Sequence, residues 1–303
     1  MKIAIAYITV VLVWSTTPLG LAWSSETVHP SMAGFLRMAI ALVLGSIGLK
    51  IWRINLPRHP RGLRLYAYSS IGLFGGMYSS YLAAAYITSG LMSLVFGMSP
   101  ILTGIMAYKL LDEPRLSRYK LVGITIAIIG LGIVFSDSVA LSENAWKGMV
   151  LIVFAVFCFS YSAVLIKTVK IDIHPAATTV GSMLFTAPMY LITWYLMDGT
   201  LPVETWSERS VLSILYLGIF GSLIGFVCYF FVLQKLTTST VALITMMTPV
   251  FAILLGAWLN EEIITTNTVV GAGAIISGLA LYQYKRKNRD KKGRPELELE
   301  HKI

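Results

Sequence analysis

Apolar residues occur along the chain in ten long runs, separated by short polar or charged stretches. The runs extend over Ile3–Trp23, Ser31–Lys50, Leu65–Ile87, Ser89–Leu111, Leu121–Phe135, Lys147–Lys167, Ala176–Met197, Val211–Leu233, Ser239–Asn260 and Thr266–Tyr284. Most have about twenty residues, the length at which an α-helix crosses the hydrocarbon core of a bilayer. Glycine, serine and threonine are frequent within them, as is usual where helices pack together in lipid. The pattern predicts an all-α membrane protein with ten transmembrane helices.

The composition agrees with this fold class. Hydrophobic residues make up 56% of the 303 residues and charged residues only 13%, against about 25% charged residues in soluble domains. The net charge of +9 would suggest nucleic-acid binding if it were spread over one face. Because the basic residues lie between the apolar runs and in the C-terminal tail, we predict no nucleic-acid partner.

The order of residues in the first half of the chain recurs in the second half. Leu91–Glu113 matches Thr240–Glu262 at an offset of 149, and each copy has a hydroxyl–proline pair near its centre. The other matches are Trp14-Ser15 with Phe159-Ser160, His29-Pro30 with His174-Pro175, Gly72–Gly75 with Gly218–Gly221, and Gly123 and Gly130 with Gly271 and Gly278. Five helices in each half is an odd number, so the second repeat is inverted in the membrane. We therefore predict repeats over residues 1–136 and 137–284, and a disordered cytoplasmic tail over 285–303.

Lysine and arginine indicate the orientation of the helices. If the N-terminus lies in the cytoplasm, 21 of the 24 lysines and arginines fall in cytoplasmic loops or in the tail. Only Lys147 and Arg209 then lie in outside loops. This is the distribution that the positive-inside rule describes. It predicts a multi-pass protein of the cell (inner) membrane with both termini in the cytoplasm.

Pro100 and Pro249 lie near the middle of the fourth and ninth runs. Proline removes one backbone N–H and crowds the carbonyl four residues earlier, here that of Phe96 and of Thr245. In hydrocarbon, a freed carbonyl is tolerated only where protein or a water-lined cavity satisfies it. Interrupted helices at matching positions of two halves indicate the binding site of a transporter. We therefore predict that both prolines break their helices beside a central cavity.

Aromatic and hydroxyl residues on the runs near these prolines could line a pocket, since pockets are mostly apolar with a few placed polar groups. A single aromatic residue in a membrane protein more often packs helices or belongs to an interfacial belt. Arg37, the one cation inside a run, either anchors a carboxylate or phosphate in the cavity or snorkels to the headgroups. The predicted substrate-binding residues are Trp14, Ser15, Arg37, Tyr78, Tyr81, Ser99, Phe159, Ser160, Tyr229 and Thr248.

This duplicated order resembles the drug/metabolite transporter superfamily, in its EamA-type branch. The resemblance rests on the two five-helix halves, the hydroxyl–proline centres, the His-Pro openings and Arg37, and it covers Ile3 to Tyr284. It implies export of amino acids or other metabolites from a central cavity by alternating access. Related small multidrug pumps carry a membrane-embedded Glu in their first helix, where this chain has Ser15 and Ser160. That departure speaks against cation–proton antiport of the same kind.

These observations predict a secondary transporter, an exporter of amino acids or similar small metabolites. The alternative within this class is an exporter of drugs or other lipophilic compounds. The alternative from another class is a membrane-embedded enzyme or a lipid-handling protein. All four histidines lie in loops or in the tail, and no acidic residue lies in the middle of a run, so we predict no enzyme, cofactor or metal site. The expected partners are a small-molecule substrate and the lipid bilayer, with a monomer expected and a dimer left open.

Overall fold

The structure is a computed structural model that describes residues 2–111, 117–141, 143–169, 171, 173–236 and 238–283. Within these residues the chain forms ten long helices, counting the consecutive segments of one span together, and no strand. The first half contains α1 (Lys2–Ser24), α2 (Pro30–Ile51), α3 (Pro60–Ser70, Ile71–Gly76 and Met77–Ala83), α4 (Ser89–Gly97 and Ser99–Leu110) and α5 (Arg118–Leu141). The second half contains α6 (Ala145–Thr168), α7 (Pro175–Met197), α8 (Glu208–Tyr216, Leu217–Ile224 and Gly225–Lys235), α9 (Thr238–Asn260) and α10 (Thr266–Gln283).

The lengths and compositions of these helices are those of membrane spans. Within the described residues, seven helices, α1, α2 and α4 to α8, are long and apolar enough to cross a membrane. A further apolar stretch, Met247–Asn260, belongs to α9. The predicted fold class is confirmed. Among the predicted bounds, those of the third and fifth helices differ most. Helix α3 runs from Pro60 to Ala83 instead of Leu65 to Ile87, and α5 continues through polar residues beyond both ends of the apolar run Leu121–Phe135.

Histidine followed by proline begins one helix at the same place in each half. In α2 and in α7 the proline occupies the first turn, where no backbone N–H is required. The Nδ1 atom of His29 accepts the N–H of Ser31, and that of His174 accepts the N–H of Ala176. The backbone angles of the two histidines agree within one degree, φ −55° and ψ 135° against φ −56° and ψ 134°. The repeat is therefore present in the local backbone as well as in the sequence.

The two predicted helix breaks differ. In α4 the helix ends at Gly97 and resumes at Ser99, with Met98 at φ −78° and ψ −5° between the two segments. In α9 the helix runs through Pro249 without interruption. Gly97 packs against this part of α9, since a Cβ atom there would lie 3.2 Å from the Pro249 ring and 3.4 Å from the Thr245 carbonyl. Of the two helices with a central proline, α4 is interrupted and α9 is not.

The two halves interlock rather than pack side by side. Helix α1 packs on α8 and α9 of the second half, and α6 packs on α3 and α4 of the first half. The two halves also meet through three pairs of helices that are equivalent in the repeat, namely α2 with α7, α4 with α9 and α5 with α10. This is the arrangement expected when a pseudo-two-fold axis in the membrane plane relates inverted repeats. The first helix of each half therefore completes the core of the other half.

Glycines bring the backbones of α5 and α10 into direct contact. A Cβ atom on Gly123 would lie 2.5 Å from the Gly278 carbonyl oxygen, and one on Gly130 would lie 2.7 Å from that of Gly271. These are the seven-spaced glycine pairs of the repeat, and they face each other across the axis. Small residues permit such close approach of helices in lipid, where packing rather than the hydrophobic effect drives association. The glycine contact is therefore internal to the chain.

Candidate functional site

Turns of π-helix interrupt α3 and α8 at equivalent positions of the repeat. They extend over Ile71–Gly76 and Leu217–Ile224. Such turns are rare in proteins. Where they occur they often lie at functional sites, because they widen the helix and redirect its side chains. Each lies against a residue predicted to bind substrate. Phe159 packs on the turn of α3, and Arg37 hydrogen bonds to Ser222 in the turn of α8.

Trp14 and Phe159 are partners in the repeat, and both are half-buried. The Trp14 ring on α1 lies 4.7 Å from that of Tyr229 and 6.3 Å from that of Phe226, both on α8. The Phe159 ring on α6 lies 5.5 Å from that of Phe96 on α4, and a Cβ atom on Gly76 would lie only 2.5 Å from it. Each ring is thus held by helices of the opposite half while part of it stays accessible.

The hydroxyl groups predicted to bind substrate mostly serve helix packing. The Ser15 hydroxyl is buried and donates to the Val11 carbonyl at 2.6 Å within α1. The Ser160 hydroxyl donates at 3.3 Å to the carbonyl of Ser99, beside the break in α4. Ser99 is half-buried, and Thr248 is buried. The bond between Ser160 and Ser99 joins α6 to the interrupted helix and is the one of these contacts that connects the two halves.

Arg37 lies in the interior of the helix bundle, with 1% of its surface exposed. Its Nε atom donates to the Ser222 hydroxyl at 2.6 Å and its Nη1 atom donates to the Met77 sulfur at 3.1 Å. This burial excludes snorkelling to the headgroups. Within the described residues no ion pair involves Arg37. An unpaired charge at membrane depth costs at least about 2.5 kcal/mol even on membrane-insertion scales, which give the lowest values. A buried arginine without an ion pair is therefore a candidate for a functional role.

Three tyrosines lie close to this cation in the fold. Tyr78 and Tyr81 of α3 follow Met77, the residue whose sulfur accepts from Arg37, by one residue and by one helical turn, and Tyr190 belongs to α7. The Tyr190 hydroxyl donates to the Leu73 carbonyl at 3.3 Å, and its ring lies 6.0 Å from that of Tyr78. Tyr81 is completely buried, and its hydroxyl has no hydrogen-bond partner among the residues that the structure describes, whereas Tyr78 is half-buried. We call Arg37, Tyr78, Tyr81 and Tyr190 the arginine–tyrosine cluster.

One end of the bundle carries the last residues of α1 and α9 and the first residues of α4 and α8. We call it the opposite face, because it lies opposite the end with the start of α1, and a polar network there joins the two halves. The Glu262 carboxylate accepts the N–H groups of Ser89 and Gly90, at 3.0 and 3.1 Å, and so caps the start of α4. The Trp23 ring donates to the Asn260 side chain at 2.8 Å. Other contacts of this network are the Glu26–Arg209 ion pair at 2.6 Å, Arg209 stacked 5.5 Å above the Trp23 ring, and the bond from Ser210 to the Trp23 carbonyl.

The outer surface of the bundle carries an apolar groove between α5 and α6, with a volume of about 700 Å³. Its walls are Phe135, Trp146, Met149, Val150, Val153, Phe154 and Phe157. None of the predicted site residues lies there. The groove therefore lies on a different side of α6 from Phe159 and Ser160, the two predicted site residues on that helix.

Eight of the ten predicted residues fall into three groups of contacts. Trp14 lies with Tyr229, and Phe159 and Ser160 lie with Ser99 at the α4 break. Arg37, through Met77, lies with Tyr78 and Tyr81 in the third group. The sequence pattern did not indicate Met77 and Ser222, which accept hydrogen bonds from Arg37, or Tyr190, whose ring packs edge-on against Tyr78. Met77 and Ser222 lie beside or within the repeated glycine stretches, which was an available signal, whereas Tyr190 corresponds to Gly45 in the repeat and carries none.

The fold and these groups define an all-helical, multi-pass membrane protein built on an inverted repeat, with polar and aromatic residues of both halves directed into its interior. Residues 1–136 and 146–283 each match the model of the EamA-like transporter family. The chain belongs to this family. The predicted membership of the drug/metabolite transporter type is thereby confirmed.

Known proteins of similar sequence and structure agree with this assignment. Protein PagO of Salmonella typhimurium is 27% identical over 290 residues, which cover 92% of each chain. A probable amino-acid metabolite efflux pump of the same organism is 28% identical over 200 residues, 63% of this chain and 66% of that one. A protein crystal structure with 18% identity has a TM-score of 0.66 and covers 92% of this chain and 95% of its own. At that identity the structural likeness shows the fold alone.

Proposed function

We propose that the protein is a secondary transporter that exports amino acids or similar small metabolites through a central cavity by alternating access. The observation that carries the proposal is the pair of repeat partners Trp14 and Phe159. Each is a half-buried ring held by the opposite half, so a relative movement of the halves changes the surroundings of both rings together. The name of the related efflux pump supports amino-acid metabolites as the substrate class.

The proposal includes a location and an orientation. The distribution of lysine and arginine supports the inner membrane, with both termini in the cytoplasm. The glycine contact between α5 and α10 is satisfied inside one chain, which supports a monomer. Transport of this kind requires no chemical step and no cofactor. The Trp14 and Phe159 groups offer aromatic faces, hydroxyls and carbonyls but no carboxylate, which favours neutral or zwitterionic solutes over permanent cations.

The proposal is tested with the purified protein in liposomes, by measuring the flux of labelled amino acids. Trp14→Ala and Phe159→Ala should each lower the flux about tenfold or more, because a buried aromatic contact is worth roughly 1.5–3 kcal/mol. Phe154→Ala is the matched control, since Phe154 lies on α6 like Phe159 but is 52% exposed in the outer groove. Equal flux in the parent and in both interior variants, or equal losses in all three variants, would contradict the proposal.

A further inference from the structure

The arginine–tyrosine cluster contains a permanent cation whose known partners are both neutral. An arginine side chain has five N–H donors in a planar fork, a geometry that matches the two oxygens of a carboxylate. In the structure, one donor is directed to the Ser222 hydroxyl and one to the Met77 sulfur, which is a weak acceptor. The cluster thus has an excess of donors and of positive charge, and the described residues supply no carboxylate to it.

Tyr81 provides a second and independent observation. Buried hydroxyl groups nearly always have a hydrogen-bond partner, so an orphan is a feature to be explained. Among the described residues the Tyr81 hydroxyl has no hydrogen-bond partner, and Tyr81 follows Met77 by one turn of α3. The Met77 sulfur accepts a hydrogen bond from Arg37, so Tyr81 lies one helical turn from a side chain that contacts Arg37. An unused O–H donor and an unpaired guanidinium therefore occur in one cluster.

A purely structural role for Arg37 accounts for only part of this arrangement. Through Ser222 and Met77, Arg37 connects α2 to α8 and α3, which explains its two hydrogen bonds. It does not explain the orphan hydroxyl of Tyr81. A bound anion would explain both the unpaired charge of Arg37 and the orphan hydroxyl of Tyr81, because one of its oxygens can accept from Tyr81 while another accepts from Arg37. Tyr78 is the half-buried member of the cluster, and we expect an anion to enter from its side.

We propose that Arg37 and Tyr81 form a binding site for the carboxylate group of the transported solute. The inference rests on the proposed function and deepens it, because it divides the solute into a carboxylate end and a remainder that meets the aromatic groups. The repeat places Ser182 opposite Arg37, and the Ser182 hydroxyl donates to the Thr178 carbonyl of its own helix. The second half therefore has no equivalent cation, and the expected stoichiometry is one carboxylate per chain.

Substitutions at two buried tyrosines separate this site from a structural role. Tyr81→Phe removes only the orphan hydroxyl, so a structural role for the cluster predicts no loss of folding or of binding. Tyr66→Phe is the matched control, because the Tyr66 hydroxyl is also buried and has no hydrogen-bond partner within the described part of the chain. Tyr66 packs elsewhere on α3, against Gly181 and Phe185 of α7. Arg37→Gln and Arg37→Lys test the charge, and Tyr81→Phe keeps the test decisive if they fail to fold.

Two sets of probes are used on the purified full chain. The first set is the amino acid with the highest flux in liposomes and its carboxamide, measured by competition. The second is sodium acetate, sodium phosphate and sodium chloride at constant ionic strength, measured by thermal shift. In the parent and in Tyr66→Phe, the amino acid should compete at least about tenfold better than its amide, the value of one charge-assisted hydrogen bond. In Tyr81→Phe the preference should fall below about threefold, and Arg37→Gln should abolish it.

The outcomes distinguish this proposal from the proposed function. Stabilisation of the parent by acetate, lost in Tyr81→Phe but kept in Tyr66→Phe, would support the site even if no amino acid were transported. Amino-acid flux without any preference over the amide would overturn the site and leave the transport function standing. Equal behaviour of Tyr81→Phe and Tyr66→Phe, or stronger stabilisation by phosphate than by acetate, would also overturn the carboxylate assignment.

Discussion

Pro100 and Pro249 show how the same residue can have different effects at matching positions. Pro100 lies in the first turn after the break at Met98, whereas Pro249 lies inside a continuous helix and packs against Gly97. Alanine at position 100 restores an N–H that can bond to the Phe96 carbonyl, which would straighten α4. We expect Pro100→Ala to retain its melting temperature within a few degrees and to lose flux several-fold. Pro249→Ala should affect flux less, and flux in liposomes measures both.

The opposite ranking of the two proline variants, or unchanged flux in Pro100→Ala, would show that the break in α4 has no part in transport. Their double variant provides the control for additivity, since distant substitutions act independently whereas touching ones do not. Gly97 contacts the Pro249 ring one residue before the break. Non-additive effects are therefore expected.

At this scale the sequence identified Arg37 but not its surroundings. A cation inside an apolar run indicates either a functional charge or a snorkelling one, and only the buried position in the structure distinguishes them. The tyrosine at position 190 gave no signal, because its partner in the repeat is a glycine and an isolated tyrosine resembles any packing residue. Side-chain hydrogen bonds depend on which helices become neighbours. That information is absent from the pattern of a single helix.

The contact between α5 and α10 leads to a prediction at the scale of elements. A Cβ atom on Gly130 would lie 2.7 Å from the Gly271 carbonyl, whereas one on Gly132 of the same helix would meet nothing within 4 Å. Gly130→Ala must therefore separate the two backbones, and we expect a loss of about 1–3 kcal/mol of unfolding free energy. Gly132→Ala should be neutral or stabilising by up to about 1 kcal/mol, because alanine favours the helix. Thermal unfolding in detergent measures both, and equal melting temperatures would disprove the close contact.

The cap that Glu262 provides for α4 gives a second prediction at this scale. Its carboxylate accepts two N–H groups at the positive end of the helix dipole, an interaction worth roughly 1–2 kcal/mol. Glu262→Gln keeps the size but removes the charge, so we expect a lower melting temperature and readier opening of the opposite face. Labelling of a cysteine introduced at Ser93, which is buried in α4, measures that opening. Glu261→Gln is the control, because Glu261 is exposed, and equal labelling in both variants would exclude the cap as a closure.

Helix positions could be predicted well and helix partners could not. Apolar runs and the His-Pro openings determine where α2 and α7 begin, because capping is a local property of a few adjacent residues. The exchange of α1 and α6 between the halves joins residues that are far apart in the sequence, 237 positions for the bond between Trp23 and Asn260 and 61 for the bond between Ser160 and Ser99. The apolar faces of α1 fit either half equally well as far as composition indicates. The sequence repeat predicted inversion, and the structure added the exchange.

For the molecule as a whole, the distribution of charge predicts the orientation in the membrane. A reporter fused after Ile303 and one inserted near Arg53 should both report the cytoplasm, whereas one inserted at Gly199 should report the outside. Gly199 lies in the connection between α7 and α8, at the opposite face. Fusions to alkaline phosphatase and to a fluorescent protein measure the two locations independently. An outside signal from the C-terminal fusion would contradict the proposed orientation.

The exchange of first helices also has a consequence for how the protein is made. Helix α1 leaves the ribosome well before the helices on which it packs, α8 and α9, which begin only at residues 208 and 238. During most of translation α1 lies in the bilayer beside lipid or beside whatever assists insertion, with its final neighbours still unsynthesised. Its two half-buried tryptophans, Trp14 and Trp23, meet Tyr229 and Asn260 only after α8 and α9 have been made. A premature stop after α7 would therefore leave α1 as incomplete as the helices that are missing.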